Sequence, residues 1–121
     1  MDNAVLRKSK QFAVRIVRLN QYLQSQKQEH TLSKQLLRSG TSIGANVREA
    51  SQAVSRADFI NKLSIALKES VETEYWLELL HETDYLNDVA FHSIYTENKE
   101  LTKMLTSIIN TSKRNDSGSS N

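Results

Sequence analysis

No proline interrupts this chain of 121 residues, and apolar side chains recur in steps of three and four almost from end to end. Proline is the residue that most reliably breaks a helix. A 3–4 spacing gathers apolar residues on one face of a 3.6-residue repeat. Together the two features predict an all-α chain. The first stripe is Val5, Ser9, Phe12, Ile16, Leu19 and Leu23, flanked by Leu6, Ala13 and Val17. Arg7, Lys10, Gln11, Arg18 and Gln21 lie opposite, with Val14 as a single apolar residue among them. Asp2 or Asn3 caps this helix, and the polar run QSQKQEH at 24–30 ends it.

Ser55 opens another helix, because Ser55 and Asp58 have the spacing of a capping box. Its stripe runs Phe59, Leu63, Ala66, Ser70, Thr73, Leu77 and Leu80 to about Glu82, widened by Ile60, Leu67 and Val71. Asn87 or Asp88 starts a last helix, in which Phe91, Ile94, Asn98, Leu101, Leu105 and Ile108 repeat the pattern. From about Thr111 the residues are small and polar, which predicts fraying. The expected organisation is one helical domain over 1–110 and a flexible polar tail over 111–121.

The stretch RSGTSIGANVREA at 38–50 has the composition of a loop, yet it keeps helical phase. Leu32, Leu36, Gly40, Ile43, Val47, Ala50 and Val54 follow one another in steps of 4, 4, 3, 4, 3 and 4. A loop has no reason to hold that register, so a continuous helix is expected from about Thr31 to Ala53. Each interior glycine costs a helix about 1 kcal/mol relative to alanine. Close approach of another helix at Gly40 and Gly44 is the expected compensation, and a kink is the competing reading. Four amphipathic helices with short connections make an up-down-up-down bundle.

Several chemistries are excluded. Without cysteine there is no disulfide, thiolate metal site or thiol nucleophile. Gly40 to Gly44 matches neither phosphate-loop pattern, and no strand precedes it. No run nears the roughly 20 apolar residues that span a bilayer, and the N-terminus lacks an apolar signal region. A cytoplasmic protein with no membrane association is therefore expected. Glu78 and His81 have the Glu-x-x-His spacing of di-iron bundles, but a second copy is missing. A metal-dependent oxidase built on them is the least favoured reading. His81-Glu82-Thr83-Asp84-Tyr85 places tyrosine where a zinc-protease motif needs histidine. No enzyme and no cofactor are expected.

Charge is lopsided: residues 1–68 hold 12 Lys/Arg against 4 Asp/Glu, and residues 69–112 hold 2 against 9. In one reading, basic and acidic helices neutralise each other. In the other, Arg7, Lys10, Arg18, Lys34, Arg38 and Arg48 form a basic face for nucleic acid or an acidic partner. Asn46 and Glu49 border that face, three residues apart, and suit either a local hydrogen bond or a contact with a neighbouring helix or subunit. Tyr75-Trp76 suits the bundle core or a subunit interface.

The runs QLLRSGTSIGANVREA at 35–50 and SRADFINKLSIALKESVETEYWLELL at 55–80 resemble a bacterial family of four-helix-bundle proteins encoded in intervening sequences of 23S ribosomal RNA genes. Gln35, Leu36, Arg38, Ser42, Ile43, Asn46, Val47 and Glu49 fit the family's helix motif. Phe59, Leu63, Ala66, Glu69 and Glu72 fit its later rhythm. Gly44 stands where many members have proline, and Ala50 where glycine is common. The resemblance implies a four-helix bundle without known enzymatic activity. It also extends to an accessory protein of diversity-generating retroelements, which forms a pentameric ring and works with a reverse transcriptase and nucleic acid. By that resemblance a homopentamer is expected here, with Gly40, Gly44, Asn46, Glu49 and Trp76 at helix-packing or oligomer contacts. RNA, DNA or a reverse-transcriptase-like protein is its implied partner.

Overall fold

The computed structural model describes residues 3–119, in which four helices follow one another: α1 (Asn3–Gln26), α2 (Leu32–Ala50), α3 (Arg56–Glu82) and α4 (Asp88–Ser119). Among the described residues there is no strand. Each helix packs on the next, α1 also touches α4, and neither diagonal pair meets. This is the square of an up-down-up-down bundle, with α1 and α3 at opposite corners. Its axis is filled by Phe12, Ile16, Leu36, Ile43, Leu63, Leu77, Leu101 and Leu105, all at most 1 % exposed.

Local chemistry fixes the helix ends. Ser55 takes extended backbone and its hydroxyl accepts from the Asp58 N–H at 3.0 Å, as the capping spacing predicts. Asn87 Oδ1 accepts from the Ala90 N–H at 2.8 Å, which makes Asn87 the cap of α4. α3 stops at Asp84, whose φ of 69° is left-handed. There the Tyr85 N–H reaches Leu80 O at 2.9 Å and the Asp84 N–H reaches His81 O at 3.2 Å, the paired bonds of a Schellman stop.

The start of α2 is capped from outside the helix. Thr31 makes no side-chain cap. The Glu29 carboxylate, buried at 7 % exposure, instead accepts from the N–H groups of Thr31, Leu32 and Ser33 at 3.1, 2.8 and 2.8 Å. Burial pushes the Glu29 carboxyl up, but those three bonds and one from the Ser33 side chain outweigh it and hold the carboxyl below its ordinary value.

Other boundaries and faces also depart from the reading of the sequence. Asp2, one of the two caps proposed for α1, lies outside the described residues. α2 ends at Ala50, so Val54 falls in the connection and is 93 % exposed. Val71, expected to widen the α3 core stripe, points outward at 53 % exposure. α4 continues past 111 as helix to Ser119, because no glycine or proline interrupts it before Gly118. Its last buried apolar residue is Ile109, one position beyond the expected Ile108.

Candidate functional site

α1 carries Arg7, Lys8, Lys10, Arg15 and Arg18 and no carboxylate. Two of these cations lean toward α4. Lys8 pairs with Glu100, and Arg15 meets Glu97 at 2.5 Å and the Ser93 hydroxyl at 3.1 Å. The other three, Arg7, Lys10 and Arg18, are exposed on the side away from the core and have no ion-pair partner among the described residues. Lys34 and Arg48 on α2 are exposed in the same way.

Arg38 behaves otherwise. Its guanidinium spans to α3, donating to Glu69 Oε2 at 3.1 Å and to Glu72 Oε2. It is therefore tied into the α2–α3 seam and sits apart from the free cations of α1 and α2. Periodicity puts Arg38 on the polar side of α2, but only the neighbouring helix decides where a long side chain leans. Lys62 with Glu49 at 3.5 Å and Lys99 with Glu74 at 2.5 Å continue the same pattern. The bundle thus neutralises many of its charges internally, while Arg7, Lys10, Arg18, Lys34 and Arg48 stay free on the outer surface of α1 and α2, as do Lys27, Lys68 and Lys103 elsewhere among the described residues.

That surface is also grooved. Leu6, Lys10, Ala13, Thr41, Gly44, Ala45 and Arg48 line an open groove of about 300 Å³ between α1 and α2. A second groove, about 370 Å³, runs along α1 between Lys10, Ala13, Val14, Val17, Arg18 and Gln21. Lys10 and Ala13 belong to both, so the two form one strip with an apolar floor and cationic edges. Val14 and Val17 are 47 % and 39 % exposed on it. Open grooves at the lower end of ligand-pocket volumes suit the surface of a macromolecule better than an enclosed small molecule.

The two glycines make this strip possible by letting α1 and α2 approach. A Cβ on Gly40 would lie 2.8 to 3.0 Å from Ile16 side-chain carbons. One on Gly44 would lie 3.1 Å from the Ser9 carbonyl oxygen. Neither glycine has a positive φ, so closeness of packing, not turn geometry, is what selects it. Asn46 is half-buried and donates to Ser42 O of its own helix at 2.8 Å, while Glu49 turns to Lys62. Trp76 is half-buried against the core, donates to Glu72 at 2.9 Å and meets the Tyr75 ring edge-on at 5.0 Å.

The opposite side of the bundle shows polar groups satisfying one another. Thr73 donates to the Ser39 hydroxyl at 2.9 Å, and Ser70 and Thr102 hydroxyls meet at 3.1 Å. Asn98 donates to Ser70 O at 2.9 Å, while its buried Oδ1 has no partner among the described residues. The Tyr95 hydroxyl lies 2.8 Å from Glu74 and 2.7 Å from Glu78. Burial, then those two carboxylates, push the phenol far above its ordinary pKa, so it stays a neutral donor. A phenol so hard to ionise is a poor general acid or base at neutral pH.

Glu78 and His81 do not converge. Glu78 accepts from Tyr95, whereas His81 Nε2 lies 2.7 Å from Asp88 and its ring stacks on Phe91 at 4.0 Å. Among the described residues, no three His, Cys, Asp or Glu side chains gather to hold a metal ion. Also among them, no helix is long and apolar enough to cross a membrane.

Comparison with known proteins places this architecture. Curated proteins give no match. A crystal structure of a protein of unknown function from the S23 ribosomal protein family of Bacteroides thetaiotaomicron superposes with a TM-score of 0.89. It shares 60 % sequence identity, over 90 % of this chain and 97 % of that one. The family model for the 23S rRNA-intervening sequence protein matches residues 1–107. The chain belongs to the 23S rRNA-intervening sequence protein family.

Proposed function

We propose that this chain is a non-enzymatic, self-associating adaptor of the cytoplasm that grips the phosphate backbone of a nucleic acid through the outer surface of α1 and α2. The observation that carries the reading is the division of its cations. Lys8, Arg15, Arg38, Lys62 and Lys99 are paired within the chain, whereas Arg7, Lys10, Arg18, Lys34 and Arg48 are exposed without an ion-pair partner among the described residues. Exposed, unpaired cations are among the groups that make phosphate contacts. Self-association, with the pentamer that the family resemblance implies, would repeat a modest patch and give it avidity. A nucleic-acid enzyme of the reverse-transcriptase type would then be held near its template. In this reading residues 1–110 do the work and 111–121 are an appendage.

Fluorescence anisotropy with labelled RNA and DNA, at increasing salt, tests the proposal. Binding should weaken steeply as salt rises, because each neutralised phosphate releases counterions. Absence of binding at low salt, with the assembly intact, removes the nucleic-acid reading.

A second reading, a scaffold that binds only protein, has its own support. Val14 and Val17 are exposed in the middle of the basic strip, and an apolar centre with a charged rim is the anatomy of a protein interface.

A further inference from the structure

The strip over α1 and α2 is ordered along its length. The two helices run antiparallel, so Arg48 comes level with Lys10 on one groove. Toward the other end Asn20 and Gln24 of α1 donate to Ser33 O and Oγ at 3.0 and 3.1 Å, which brings Lys34 to the end that holds Arg18. At 1.5 Å per residue, Lys10 and Arg18 stand about 12 Å apart along α1, and Arg48 and Lys34 about 21 Å apart along α2. Between these cations the surface is apolar or small. Val14 and Val17 are 47 % and 39 % exposed there, beside Ala13, Gly44 and Ala45. No carboxylate lines either groove. Tyr22, one turn beyond Arg18, is 42 % exposed, and among the described residues of α1 and α2 no other aromatic ring reaches the surface.

A double helix turns its bases inward and offers phosphates and base edges. Laid on this strip, it would meet the cations but cover the valines with sugar and charged phosphate, leaving them no apolar partner. A single strand offers both parts at once: phosphates for the cations and open base faces for the apolar floor. We infer that the strip takes a single-stranded nucleic acid, with phosphates against Lys10, Arg18, Lys34 and Arg48 and bases packed on Val14, Val17 and Tyr22. The inference rests on the nucleic-acid reading of the proposed function and names the class of strand. The exposed valines, which phosphate contacts alone leave unused, become the seat of the bases.

Fluorescence anisotropy on the full chain at low salt tests this with three labelled probes of equal length: oligouridylate, duplex RNA, and an abasic strand that keeps only sugar and phosphate. Oligouridylate should bind about tenfold more tightly than either of the others. Val14→Thr keeps the shape of the side chain and adds a hydroxyl, and Tyr22→Leu removes the ring. Both positions are exposed, and circular dichroism checks that each variant keeps its helices. Each variant should bind oligouridylate about threefold more weakly and duplex RNA as wild type does. Duplex or abasic strand bound as tightly as oligouridylate would overturn the inference and leave the nucleic-acid reading standing. A strand preference undiminished in both variants would overturn the seating of the bases on this strip. Unlabelled polyglutamate should displace the strand far less well than unlabelled oligouridylate; equal displacement would assign the strip to an acidic protein segment instead. Binding of none of the three probes would overturn the inference together with the reading it rests on.

Discussion

The α1–α2 seam and the α3–α4 seam solve the same packing problem in opposite ways. The first is close along its middle, where Gly40 meets Ile16 and Gly44 the Ser9 carbonyl with little room for a Cβ. Only at one end do Asn20 and Gln24 of α1 bond Ser33 of α2. The second is held by polar side chains, with Tyr95 between Glu74 and Glu78, Lys99 on Glu74, Ser70 on Thr102 and His81 on Asp88. The consequence is electrostatic. A seam of small residues offers nothing to pair with nearby cations, so Lys10 and Arg48 at its edge stay free. A seam of carboxylates and hydroxyls uses up its own polar groups. The first therefore presents unspent charge, and the second presents little chemistry to a ligand.

Substitution at Gly40 should break the close seam most severely. Gly40→Val forces branched carbons into fully buried Ile16 and should cost about 3 kcal/mol, read from denaturant unfolding. Gly40→Ala should still destabilise, by about 1 kcal/mol, although alanine is the better helix former. If Gly40→Ala were stabilising, helix proximity would not explain the glycine.

Glu29 comes next. Removing it in Glu29→Ala frees three N–H groups at the start of α2 and should cost about 2 kcal/mol. The same group predicts a pH dependence. Its folded carboxyl lies below the ordinary value near 4.3. Its contribution is therefore complete above that value and is lost as pH falls through the lower, folded one. Acid unfolding followed by circular dichroism should show a shallower loss below about pH 4 in Glu29→Gln than in wild type.

On the polar seam the expected effect is smaller and opposite in sign. Asn98 buries an oxygen without a partner, so Asn98→Leu should stabilise by about 1 kcal/mol in thermal or denaturant melts. A loss above about 2 kcal/mol would mean that the amide holds the seam together. Smallest of all, Arg38→Ala should cost about 0.5 kcal/mol, since the Arg38 side chain is half exposed and such pairs are weak.

How much of this was legible depends on whether a feature is set by one helix or by two. Gly40 and Gly44 could be placed because the 3–4 register passes through them, and Ser55 because its cap lies within four residues. Glu29 was hidden in a polar run: nothing local separates a carboxylate that folds back on α2 from one that faces water. Ser33 and Ser39 are buried yet fall outside the apolar stripe of α2, since their partners Gln24 and Thr73 come from other helices. Val54 looked periodic because the step of four from Ala50 continued, although the chain leaves the helix at Ser51. The basic side of α1 was readable, but the separation of Arg38 from Arg48 was not, because it depends on α3 standing beside α2.

That separation is the most direct test of the account. RNA or DNA binding should be measured by anisotropy across a salt series for wild type, Arg48→Gln and Arg38→Gln. Arg48→Gln should weaken binding and flatten the salt slope, because a free cation is lost. Arg38→Gln should match wild type, because its guanidinium is already spent on Glu69 and Glu72. Equal effects from the two, or no binding by wild type at low salt, would contradict the claim that the bundle keeps one set of charges for itself and another for its partner.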